Sequence, residues 1–132
     1  MKVFNQIQGC VTHYTEQIKL TGKHLEEVRI GGEIKSVVIP IDHENSKPNS
    51  LEGSYVLTID DGIGEIFVYV SSLMFHHFSH ILQEGNIVVF KGFVNVVSRT
   101  IAEQTKRDVS VVAFDAQSIE ELKFNEEYSC LS

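Results

Sequence analysis

A chain of 132 residues has room for one domain and one core. Its 42% hydrophobic and 22% charged residues set aside intrinsic disorder, and no apolar run reaches the length of a membrane span. A net charge of −7, from 18 acidic residues against 11 basic ones, argues against a ligand held mainly by neutralised phosphates and suits a protein partner.

The start of the chain lacks the basic-then-apolar layout of a signal peptide. Cys10 and Cys130 stand near opposite ends without CxxC spacing. The expectation is a cytoplasmic protein with no disulfide framework and no structural zinc.

In chain order, residues 1–13 offer Val3, Phe4, Ile7 and Val11 as packing residues. Residues 14–27 are helix-compatible, with Ile18 and Leu25 apolar and an interruption at Thr21-Gly22. The period then changes. Val28, Ile30, Gly32 and Ile34 alternate with Arg29, Gly31, Glu33 and Lys35, as in a half-buried strand. Gly31-Gly32 suits a strand that bends at a barrel corner, and Pro40 closes it. Residues 41–53 are rich in turn formers and predict a loop carrying Asp42, Glu44 and Glu52 against Lys47.

Tyr55, Leu57 and Ile59 alternate with Val56, Thr58 and Asp60 in a second strand. Asp61-Gly62-Ile63-Gly64 predicts a tight hairpin connection to a third, where Ile66, Val68 and Val70 alternate with Phe67 and Tyr69. Residues 71–82 predict a helix capped by Ser71 or Ser72, which plugs one end of the fold through Leu73, Phe78 and Ile81, with Gly85 as its stop. A long strand follows over 86–98 with a bulge at Gly92. Residues 99–108 predict a polar loop or hairpin tip, 109–114 a fifth strand, and 118–122 a short capped turn before a frayed tail.

The order of five strands, with a helix between the third and fourth, resembles the oligonucleotide/oligosaccharide-binding (OB) barrel. The stretches Val28-Arg29-Ile30-Gly31-Gly32-Glu33-Ile34, Tyr55-Val56-Leu57-Thr58-Ile59-Asp60-Asp61 and Gly64-Glu65-Ile66-Phe67-Val68-Tyr69-Val70 carry a closer resemblance. Residues 84–94 and Ser118-Ile119-Glu120-Glu121-Leu122 extend it. They are similar to the nucleic-acid-binding OB domain of the bacterial DNA polymerase III alpha subunit and of class II aminoacyl-tRNA synthetase anticodon-binding domains. The resemblance implies an all-β, five-stranded Greek-key barrel at 28–122 with a capping helix. A partly helical N-terminal extension at 1–27 would pack on it, and 123–132 would form a tail.

In that fold the ligand crosses the second and third strands between two loops. Val56, Thr58, Phe67 and Tyr69 then face outward, and the aromatic pair makes a stacking platform. The alternative is that Phe67 and Tyr69 pack beneath the N-terminal segment or a partner. Lys35, Lys91, Arg99, Lys106 and Arg107, with Lys47, are the candidates for a phosphate rim, the alternative being solvated loop charges.

The expected partner is single-stranded DNA or RNA, with a polymerase or other replication protein as a further partner, no membrane, and homo-oligomerisation left open. The rival reading is an OB barrel whose outer face docks an enzyme. No cofactor, metal or catalysis is expected. His76 and His80 have chelating i, i+4 spacing, but no third ligand is evident nearby and surface histidines are the better reading. Asp60-Asp61 reads as a turn former, and Gly62-Ile63-Gly64 lacks the rest of a dinucleotide fingerprint.

Overall fold

The computed structural model describes residues 6–39 and 54–120. Residues 41–53, including Lys47, the proposed tail, Val3 and Phe4 lie outside the described residues. Five strands, β1 (Glu27–Val38), β2 (Tyr55–Asp60), β3 (Glu65–Val70), β4 (Ile87–Ile101) and β5 (Gln104–Ser118), close in the order β1-β2-β3-β5-β4. All pairings are antiparallel except β3 with β5. This is the five-stranded barrel that the resemblance implied. Helix α1 (Thr15–Thr21) precedes β1, and α2 (Ser72–His77) lies between β3 and β4.

Inward-facing residues of every strand fill the barrel, with Ile30, Ile34, Leu57, Ile59, Val68, Val70, Val88, Phe90, Val94 and Val111 fully buried. A smaller cluster lies outside the wall, where Ile7 and Cys10 of the N-terminal segment cover Val89 and Ile119. Two features curve the wall. Gly32 passes so close to Asp60 that a Cβ would meet its carbonyl, and Gly92 lies equally close to the Val112 carbonyl. At Gly92 the pairing shifts from Lys91 opposite Asp115 to Gly92 opposite Ala113. The bulge expected at Gly92 is present, and its extra residue is Phe114 on the facing strand. Lys35 is the extra residue of a second shift, in β1.

Two expectations need correction. The helix after β3 ends at His77 rather than Leu82, and Leu73 does not plug the barrel, being 83% exposed. On a helix of 3.6 residues per turn Leu73 lies about 140° from Phe78, whereas Met74, Phe75 and Phe78 share a face. Those three pack on the core, with Ile81 and Leu82 buried in the turns that follow. Tyr55 stacks on Phe75 with ring centroids 3.9 Å apart. Of the two readings of residues 99–108, a polar loop or a hairpin tip, the structure has the hairpin tip. β4 and β5 continue their pairing to Ile101 opposite Gln104, forming a protruding two-stranded ribbon. Ala102 and Glu103 turn it with φ of 51° and 68°, the left-handed pair that a two-residue hairpin turn requires.

Candidate nucleic-acid interface

Side-chain alternation and strand register build the outer face row by row. One row runs Thr58, Phe67, Ser110, Asn95 across β2, β3, β5 and β4. The next runs Val56, Tyr69, Val112, Phe93. Phe67 is 54% exposed, Phe93 42% and Phe114 47%; Tyr69 is half-buried. Phe93 and Phe114 meet with centroids 5.2 Å apart. Thus Phe67 and Tyr69 belong to a larger aromatic surface, and the N-terminal segment covers Val89 instead.

Hydrogen bonds order the polar residues of this face. Ser36 donates to the Thr58 hydroxyl at 3.0 Å, and the Asn95 amide donates to the Ser110 hydroxyl at 3.3 Å. A groove of about 610 Å³ runs over Thr58, Phe67, Tyr69, Asn95 and Ser110, with Lys19 on the α1 side and Arg107 and Asp108 on the ribbon side. Glu65 also lines it, so its charge is mixed.

α1 is held in place from both ends. The buried Asp61 carboxylate accepts the Thr15 N–H at 2.8 Å, as well as the Ile63 and Gly64 N–H groups of the β2–β3 turn at 2.9 and 3.0 Å. The turn former expected at Asp61 therefore also anchors the first residue of α1. At the other end the Arg107 guanidinium donates to the carbonyls of Lys19, Leu20 and Gly22. A cation on the carbonyl end of a helix is favoured by the helix dipole as well as by the hydrogen bonds.

The proposed rim is dispersed. Lys35 is exposed and pairs with Glu33 at 2.9 Å; this hydrogen bond and charge hold its ammonium above the ordinary lysine range. Lys106 is exposed on the ribbon. Arg99 stands opposite it on β4, and its side chain lies outside the described residues. Lys91 lies on the β1–β4 side of the barrel, away from the groove. The rim residue that borders the groove, Arg107, has its guanidinium engaged with α1.

Phe93 and Phe114 were not singled out from the sequence. The signal was present: Phe90 and Val94 face inward, which places Phe93 outward, and Val111 and Ala113 do the same for Val112 and Phe114. His76 is not part of a metal site among the described residues, where no group of three or more His, Cys, Asp or Glu is placed to hold an ion. Its ring sits edge-on to Tyr55 and Phe75. No described helix is long and apolar enough to cross a membrane.

No family model and no curated protein matches the chain. Solved structures do. An OBody bound to hen egg-white lysozyme superposes with a TM-score of 0.56 at 19% identity, covering 82% of this chain and 93% of that one. A mitochondrial single-stranded DNA binding protein from S. cerevisiae gives 0.54 at 11% identity, covering 71% and 92%. Asparaginyl-tRNA synthetase from Pyrococcus horikoshii gives 0.55 at 16% identity over 81% of this chain, which spans 22% of the synthetase. With closed five-strand topology and these superpositions together, the chain has the OB fold.

Proposed function

We propose that this chain is a non-catalytic module that holds single-stranded nucleic acid, in the first instance single-stranded DNA, as an accessory to replication or recombination in the cytoplasm. One observation carries the reading: Phe67, Tyr69, Phe93 and Phe114 stand on one outer face, three of them substantially exposed, beside a groove bordered by a β-ribbon. Exposed aromatics at strand spacing stack bases without selecting among them, since every base has a π-face. The S. cerevisiae likeness supports DNA, and the synthetase likeness makes RNA the near variant.

A second reading is a protein-docking barrel, which the net charge of −7 favours. An OB barrel bound to lysozyme illustrates that the same frame serves protein recognition. The two separate on a titration of labelled oligo-dT followed by fluorescence anisotropy. Phe67→Ala and Tyr69→Ala should each weaken binding by about 1–3 kcal/mol with the fold intact. Parent-like binding by both variants would remove the stacking face from the account.

A further inference from the structure

A cationic hollow lies around the barrel from the groove. Arg29 of β1 and Lys91 of β4 are direct cross-strand partners on the outer face, both half-buried. With Thr12, Glu27 and Val28 they line a hollow of about 270 Å³. The N-terminal segment forms one wall. Ile7 and Val11 sit over Gly31, and the Thr12 hydroxyl accepts the Arg29 N–H at 2.8 Å and donates to the Arg29 carbonyl at 3.2 Å. On the other side Phe93, two residues after Lys91 on the same face, meets Phe114.

Like charges directly opposite in a sheet are destabilising, and a nearby carboxylate would ordinarily offset them. Carboxylates surround this pair without engaging it. Glu27 lines the hollow, Asp115 faces Lys91 from β5, and Glu26 lies beside His13. Glu26 sits 3.9 Å from His13, and Asp115 accepts the Ala116 N–H at 2.9 Å. Among the described residues neither Arg29 nor Lys91 has an ion-pair partner.

We propose that Arg29 and Lys91 form a phosphate subsite. It takes one backbone phosphate of a strand whose bases stack on Phe93 and Phe114. The guanidinium supplies a planar fork and the ammonium a point charge, a pairing suited to a phosphate. The row Val56, Tyr69, Val112, Phe93 ends on β1 at Glu27, which lines the hollow two residues before Arg29, so the proposed path of the strand crosses β5 and β4 to β1 beside the basic pair. The inference rests on the single-strand reading and adds a path and an anchor to it.

The test is oligo-dT anisotropy over a salt series, comparing the parent with Arg29→Gln, Lys91→Gln and the double variant. One phosphate contact on a single strand contributes a slope of about 0.7 in log affinity against log salt, or about fourfold in affinity at 0.15 M. The double variant should lose that slope, Arg29→Lys should keep it, and Phe67→Ala should weaken binding at unchanged slope. Without ligand, the two single glutamine variants should melt at or above the parent temperature, because one of two like charges is gone. A double variant with the parent's slope overturns the subsite and leaves the single-strand reading standing. A parent that binds no oligonucleotide even at low salt overturns both.

Discussion

A buried carboxylate with three N–H groups pointed at it is held by what it accepts, and Asp61 joins a hairpin turn to a helix start in this way. Asp61→Ala leaves the Thr15 N–H in a dry position and frees the turn. We expect a stability loss of about 2–4 kcal/mol, read as a lower urea midpoint, with Asp61→Asn losing less because its carbonyl still accepts. The sequence announced Asp61 as a turn residue through its Asp-Gly pair, since turn chemistry is local. Its bond to Thr15 spans 46 residues and has no local signature. Likewise Phe67 and Tyr69 were legible from alternation within one short strand. Alternation also marks Phe93 and Phe114 as outward, but that the two rings meet required knowing how β4 and β5 pair across the bulge at Gly92.

At the scale of elements, burial decided what could be read. β2 and β3 have one buried face and one open one, and their alternation named both. The ribbon has no such contrast: residues 100–107 are all exposed, so no periodicity marks them as strand. Its turn, Ala102-Glu103, also lacks the Asn or Gly that usually signals a tight hairpin. The ribbon borders the groove, and Arg107 ties it to the C-terminal end of α1. Arg107→Ala should therefore speed amide hydrogen exchange in residues 97–108 and weaken oligonucleotide binding without altering its salt slope. Lys106→Ala should lower the slope instead. A drop in slope with Arg107→Ala at unchanged exchange would make Arg107 a phosphate contact rather than a tether.

For the whole molecule, charge and shape pull in different directions. A basic binder gathers phosphates over a broad surface; this chain carries 18 acidic residues and gathers basic groups only locally, at Arg29 beside Lys91 and on the ribbon where Arg99 stands opposite Lys106 next to Arg107, among the described residues. On the single-strand reading proposed above, stacking must then supply most of the affinity, and stacking requires unpaired bases. The direct measurement is anisotropy of the intact chain with labelled oligo-dT, oligo-U and duplex DNA from low to moderate salt. The account predicts binding of single strands, little of the duplex, and a shallow salt dependence corresponding to about two or three phosphate contacts. Equal binding of duplex and single strand with a steep slope, or no binding of any oligonucleotide at low salt, would contradict it.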